Sequence, residues 1–299
     1  MRQTPYFVSL HHRIKLDENI DALGFLDPAA LDMIAGAAGV LMPRYFSPRR
    51  YAQIAPLNRN HFPRLEARYA FRGKASQVDL FTRTSIPHPR TLVFKDPQDL
   101  RHRMSRAGLP MHPPFVLKGD TGGGGSAVFP VQSLTDLEPA LERLPVGEPV
   151  LIQEWVDHGG RDLRVVVMGS LVQSYFRVGV LPFYNNVSKG ALVDHELAPE
   201  LQRQGRKLAL EVSRETGIDL AAFDIMFPPA GRPLVVEINF MFGTKGLGGR
   251  SGYQAMFRSA IEDWMERIRA QVRQTGSSSL MQALSESDLV RDCTAKDQR

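Results

Sequence analysis

The chain has 299 residues and a formal net charge of +5, with 43% hydrophobic and 23% charged residues, close to an ordinary globular protein able to bury a sizeable core. A positive surplus this small and scattered does not argue for nucleic acid, though it suits a phosphate-bearing or acidic substrate. A single cysteine, Cys293, excludes an intrachain disulfide and a Cys-rich zinc site, and no apolar run reaches the ~20 residues of a membrane-spanning helix, so a cytoplasmic protein with no membrane partner is expected.

In chain order, residues 1–75 hold one apolar segment at Tyr6–Leu10, too short for a secretory signal core, and a helical pattern around Asn19–Val40. The basic, Pro-bearing stretch Pro43 to Arg72 reads as a solvated, arginine-rich surface. Thr91–Phe94 then reads as a strand, Asp96–Ala107 as a helix and Phe115–Lys118 as a strand opened by Pro113 and Pro114. A Gly-rich turn, a strand at Ala127–Val131, a helix at Leu134–Arg143 and a strand at Val150–Trp155 follow. Leu163–Met168 and Leu171–Val178 flank Gly169-Ser170, a hairpin turn signal. Leu201, Leu208 and Val212 give Leu197–Thr216 helical spacing, and Ala222–Phe227 and Leu234–Ile238 are strands. Phe257, Ile261, Trp264 and Ile268 mark a closing helix over Gly252–Val272, after which the composition becomes that of a polar, frayed tail. The whole predicts an α+β protein with largely antiparallel sheets.

Four segments carry chemistry. In Val116-Leu117-Lys118-Gly119-Asp120-Thr121, a strand delivers a lysine, and Gly122, Gly123, Gly124 and Gly125 follow before the next strand. Glycines let backbone N–H groups approach an anion, and the lysine adds a point charge. A Walker A loop and a Rossmann turn both need a helix after the glycines, whereas a strand follows here. A glycine flap over phosphates and a flexible linker remain open. In Gln153-Glu154-Trp155-Val156 the backbone at a strand edge suits an adenine, and a half-buried strand showing its polar side fits equally. Asp162 and Arg164, two apart on a strand, share one face, and Arg177 can join it; an ion pair and a phosphate or carboxylate site both fit. Asp224, Glu237 and Asn239 stand inside otherwise apolar strands, where ionised groups need a metal or a charged partner. With oxygen donors only, this set suits Mg²⁺ or Mn²⁺, and a structural carboxylate paired with Arg or Lys is the alternative.

The order of these motifs resembles the ATP-grasp superfamily, in particular its glutamate-ligase and glutathione-synthetase branch, over Lys74 to Gly249. The resemblance implies two α+β subdomains enclosing ATP, at 76–152 and 153–275, after a short N-terminal domain at 1–75 and before a tail at 276–299. It implies that Lys74 and Lys118 reach ATP, that Gly122 to Gly125 form the flap, and that Gln153 to Val156 receive adenine, with Asp162 near the ribose and Arg164 beyond it. It also implies that Arg177 steadies the γ-phosphate and that Asp224, Glu237 and Asn239 hold the metal. Asn186 and Lys189 match a substrate-side turn, and Lys245 and Arg250 stand where an acidic substrate could be met. The expected activity is carboxylate–amine ligation through an acyl-phosphate, on an amino acid, peptide or small metabolite. A non-catalytic ATP-binding scaffold and a ligase modifying a protein or peptide partner are the alternatives. Residues 1–75 are short and Arg-rich for the family, which leaves the substrate open.

Overall fold

The computed structural model describes residues 5–22, 24, 26–109, 111–123, 125–180, 190–229 and 231–296, with side chains through 274. The chain divides into two compact units, one formed by Met1–Pro63 with Arg258–Arg299 and one by Arg64–Phe257. The first boundary thus falls at 63/64 rather than 75/76, and the closing helix from Arg258 onward joins the first unit.

The first unit holds a four-stranded sheet of β1 (Phe7–Ser9), β2 (Glu18–Asn19), β3 (Gly39–Leu41) and β4 (His61–Phe62) in the order β2-β1-β3-β4. Every pairing in it is parallel, unlike the antiparallel sheets expected from sequence. The helical pattern expected over Asn19–Val40 is realised only in α1 (Pro28–Gly36); Asn19 lies in β2 and Gly39–Val40 in β3. Asp27 caps α1 by accepting from Ala30 N, and Pro28 opens it. Ser47 does the same for α2 (Pro48–Ile54) by accepting from Arg50 N. Trp264 of the closing helix packs its ring against Phe7 at 5.5 Å and Phe62 at 6.0 Å. Gly39 makes room for that ring, since a Cβ there would meet Trp264 at 2.8 Å.

The second unit begins with α3 (Glu66–Ala70) and α4 (Lys74–Arg83). An antiparallel sheet follows from β5 (Thr91–Phe94), β6 (Phe115–Gly119), β7 (Val128–Val131) and β8 (Val150–Glu154), in the order β5-β8-β6-β7. Helices α5 (Pro97–Ala107) and α6 (Leu137–Leu141) cover one face, around Phe94, Leu100, Phe115, Leu117, Leu141 and Ile152. A second antiparallel sheet comprises β9 (Arg161–Met168), β10 (Leu171–Val178), β11 (Leu192–Asp194), β12 (Leu220–Met226) and β13 (Leu234–Asn239), in the order β11-β10-β9-β12-β13. Strand alternation sends Leu163, Val165 and Val167 of β9 into one core with Leu208, Ala209 and Val212 of α7 (Pro199–Thr216). A Cβ on Gly205 would overlap Leu163, so only glycine lets α7 approach so closely. The opposite face of this sheet carries Asp162, Arg164, Arg177 and Asp224 together with apolar residues such as Val166, Ala222 and Met226.

The closing helix, α8, runs Gly249–Lys296 rather than ending near Val272. The stretch expected as a tail continues it because Leu, Met, Ala, Gln and Glu residues follow Gly276 with no proline. Among the described residues no helix is long and apolar enough to cross a membrane.

Candidate active site

A cavity of about 310 Å³ lies within the second unit, lined from both of its sheets and from the glycine turn. Strand alternation explains most of the lining: Val116 and Lys118 share one face of β6, Asp162 and Arg164 one face of β9, and Asp224 and Met226 one face of β12. On β13 a register shift pairs Asp224 with Glu237 and Ile225 with Val235, so Val236 has no opposite number. This bulge lets Val236, Glu237 and Asn239 all line the cavity, although strict alternation would turn Val236 away.

Lys74 and Lys118 bring positive charge to the site. Lys74 opens α4, donating from Nζ to Gly122 O at 3.3 Å with Glu237 at 3.8 Å. Asp120, just before the glycines, ties the turn to that helix start: Ala75 N donates to its Oδ1 at 2.7 Å and Lys74 N to its carbonyl at 3.1 Å. Lys118 is only 7% exposed, and among the described residues no hydrogen bond or ion pair reaches its Nζ. Burial pushes its ammonium down to about 8, opposed by the charge of Glu237 and aided by that of Lys74. A buried ammonium so placed favours an arriving anion.

The carboxylates are held differently. Asp224 accepts from Arg164 Nε and Nη2 at 2.8 Å each, lies 3.2 Å from Arg177 Nη2, and accepts from Asn239 Nδ2 at 3.0 Å. Burial alone would raise its carboxyl, but Arg164 and Arg177 together hold it below the ordinary carboxylate range. Arg177 also donates to Asp162 at 2.6 Å. The ion pairs therefore cross between strands: Asp162 with Arg177 and Arg164 with Asp224, not Asp162 with Arg164. A carboxylate offers about four lone-pair sites, and four donors surround Asp224. Glu237, with a side chain 30% exposed, and Asn239 Oδ1 are the oxygens left to a cation. Among the described residues no group of three His, Cys, Asp or Glu side chains suits a metal. The mixed oxygen set of Glu237, Asn239 and Asp224 nevertheless fits a hard divalent ion by its donor chemistry.

Most residues singled out in the sequence thus converge: Lys74, Lys118, Gly122, Gly123, Gly125, Gln153, Glu154, Trp155, Val156, Asp162, Arg164, Arg177, Asp224, Glu237 and Asn239 all line the cavity. Gly124, Asn186 and Lys189 lie outside the described residues. Lys245 and Arg250 are exposed and outside the lining. The expectation that β8 offers an edge to adenine is corrected, because β8 is paired on both sides, with β5 and β6. Glu154 N donates to Arg90 O at 2.9 Å, so only the backbone from Trp155 onward lies beyond these ladders. Sequence reasoning missed Val116, Val128, Met226, Val236, Met241 and Phe242, whose apolar character reads as core, and gave His158 no place at the cavity. For Met226, the signal was its spacing of two from Asp224.

Residues 71–258 match the RimK-like ATP-grasp domain family. A probable alpha-L-glutamate ligase of Parasynechococcus marenigrum is 28% identical over 60% of this chain and 38% of its own length. A ribosomal protein bS6–L-glutamate ligase of Escherichia fergusonii is 26% identical over 66% of this chain and 64% of its own length. The chain therefore spans between about two fifths and two thirds of these relatives. Among solved structures, the ATP-grasp ligase PsnB complexed with minimal precursor, Mg and ADP shares the fold with a TM-score of 0.54 at 16% identity, covering 87% of this chain and 98% of that one. With the family match spanning well over half of its residues and the cavity built within them, this chain belongs to the RimK-like ATP-grasp family.

Proposed function

We propose that this chain is an ATP-dependent carboxylate–amine ligase whose nucleotide occupies the cavity of the second unit. The observation that carries the reading is Lys118, a buried ammonium bonded to no anion among the described residues, sharing one cavity with the oxygen set of Glu237, Asn239 and Asp224. Bound there, Mg-ATP supplies a γ-phosphoryl group that turns a carboxylate into an acyl-phosphate, from which an amine displaces phosphate to give an amide.

The chain's own residues position and neutralise. Lys118 and Lys74 pair with phosphate oxygens, while the glycine turn brings backbone N–H groups over them. Val116, Val128, Met226 and Met241 pack the faces of the base, and the backbone at Trp155 and Val156 meets its edge. Glu237 and Asn239 would hold Mg²⁺ or Mn²⁺, and Asp224 would join them only by releasing a guanidinium. Arg177 and Arg164 act as positioning residues through Asp224 and Asp162 in this form of the site, rather than as free phosphate ligands. Mg²⁺ is supported by the magnesium named in the PsnB complex as well as by the donor set. The names of the relatives make glutamate the first amine to test, and a cytoplasmic setting would supply ATP.

The test is ADP release with Mg-ATP across a panel of carboxylates, with glutamate as amine. Turnover should depend on both partners and vanish in a folded Glu237→Ala protein. ADP release that Glu237→Ala leaves intact would remove the reading. Tight ATP binding with no turnover over the whole panel would instead favour a non-catalytic scaffold.

A further inference from the structure

The first sheet of the second unit ends in an open edge. Among the described residues β5 pairs with β8 alone, at one side of the order β5-β8-β6-β7. Glu154 N donates to Arg90 O at 2.9 Å, which fixes the alternation along the pair: residues 90, 92 and 94 turn their backbone groups toward β8, and Thr91 and Val93 turn theirs away. Val93 is 42% exposed. Beside this edge runs a groove of about 600 Å³, whose other wall is α5. Asp99, Arg103 and Arg106 follow one another at helical spacing along that wall, with His102 next to them. The one acid among them is already engaged, because Asp99 accepts from Lys95 N at 3.1 Å and pairs with Arg103 at 3.3 Å. Arg103 also lies over the Phe94 ring at 5.7 Å, which places its charge at the β5 side of the helix.

We propose that the β5 edge and the basic stripe of α5 together bind an extended acidic peptide segment by strand addition. The backbone of the added strand pairs with the outward groups of Thr91 and Val93. Its side chains then alternate between the two faces of the sheet. Those on the face of Leu92 and Phe94 point toward α5 and meet Arg103 and Arg106. Those on the other face lie beside the exposed Val93. Same-face residues of a strand are roughly 6.7 Å apart and three residues of helix rise about 4.5 Å, so acids spaced by two can each reach a guanidinium. The favoured segment therefore alternates acidic and apolar residues. Open strand edges are commonly blunted by charge to prevent pairing. Here the charge is of one sign and sits along one wall, which discriminates among partners rather than repelling all of them.

The probe is a fluorescein-labelled, end-blocked Ser-Val-Glu-Val-Glu-Val-Ser peptide, titrated against the full chain at low salt and read by anisotropy, without nucleotide. Saturable binding should weaken at least about tenfold for the peptide with lysine in place of glutamate, and by as much for the Arg103→Glu/Arg106→Glu protein. Val93→Pro, which removes an outward N–H, should have the same effect. Should that variant fold poorly, the amide resonances of Thr91 and Val93 in the unaltered protein should shift on titration. Lys118→Ala should bind the peptide normally, which separates this surface from the nucleotide cavity. No binding up to roughly millimolar protein, equal affinity for the lysine peptide, or indifference to the charge reversals would overturn the proposal. A self-association that Val93→Pro abolishes would overturn it too, by assigning the edge to a second copy of the chain.

Discussion

Lys118 is a side chain whose burial is costly to the free protein and which the proposed function would use. Its ammonium titrates near 8 in the folded chain against an ordinary value of 10.5. Between those values the unfolded chain holds the proton more tightly, so stability rises with pH across that window and is lowest below pH 8. Lys118→Met should therefore be more stable than the parent at pH 7, by on the order of 2 kcal/mol, while losing most of its affinity for ATP. Thermal unfolding and calorimetric titration check both halves, and a destabilised Lys118→Met would refute the account of the free site. A phosphate beside Lys118 should restore its basicity, so ATP binding takes up a proton above pH 8 and weakens as pH climbs toward 10.5. Proton uptake measured in buffers of different ionisation enthalpy reports this directly. Arg177 is the opposite case, since its removal leaves Asp162 and part of Asp224 without a buried counter-charge. Arg177→Met should lower stability by about 3–5 kcal/mol; burial already raises the Asp162 carboxyl and losing Arg177 raises it further, so the loss grows with pH up to the point where Asp162 would ionise. Lys118, Asp162, Arg164, Arg177 and Asp224 were legible in the sequence because charged residues inside apolar strands demand an explanation. Their partners were not, because the pairing depends on register across strands.

At the level of elements, the edge strand β13 carries Glu237 and Asn239 and needs support on its open side. Gln77 of α4 gives it: its Nε2 donates to Ile238 O at 2.9 Å, and its Oε1 accepts from Ile238 N at 2.8 Å. The same helix opens with Lys74, so this one buried amide fixes Lys74 and the strand that carries Glu237 in a common frame. Gln77→Leu should cost roughly 1–3 kcal/mol and speed hydrogen exchange at the Ile238 amide by about tenfold or more. An unchanged exchange rate there would show that the strand is held by other means. Gln77 had no signature in the sequence, because a polar residue on an amphipathic helix looks the same whether it faces water or a strand edge. The hairpin between β9 and β10 was legible for the converse reason. Gly169, at a φ of 59°, adopts the left-handed backbone that a tight turn requires, and the spacing of two residues fixes the register.

On the scale of the whole molecule, the two units differ in how openly the sequence declared them. The second alternates strands and helices with proline and glycine at the junctions, and from β5 onward its elements other than β11 emerged close to their expected limits, whereas α3, α4 and β11 were not foreseen. The first builds a parallel sheet from strands of two or three residues, too short for any periodicity, and its buried run Gly39–Met42 resembles the end of a helix. Its core is completed by residues more than two hundred positions away in sequence, through Trp264 and Ile268 of α8. That long-range dependence yields a test. A methyl group at Gly39 would meet the Trp264 ring at 2.8 and 2.9 Å and Ile268 at 3.0 Å, so Gly39→Ala should destabilise the first unit by roughly 1–3 kcal/mol. Every residue lining the cavity proposed to hold ATP lies between Lys74 and Gly243, inside the second unit, so ATP affinity in the same protein should stay unchanged. Trp264→Phe removes the very ring atoms that the new methyl would strike. The double variant should therefore recover part of the stability lost in Gly39→Ala, although Trp264→Phe alone leaves a void and destabilises. Strictly additive losses in that cycle would mean that Gly39 is required for its backbone rather than for the space it leaves to Trp264.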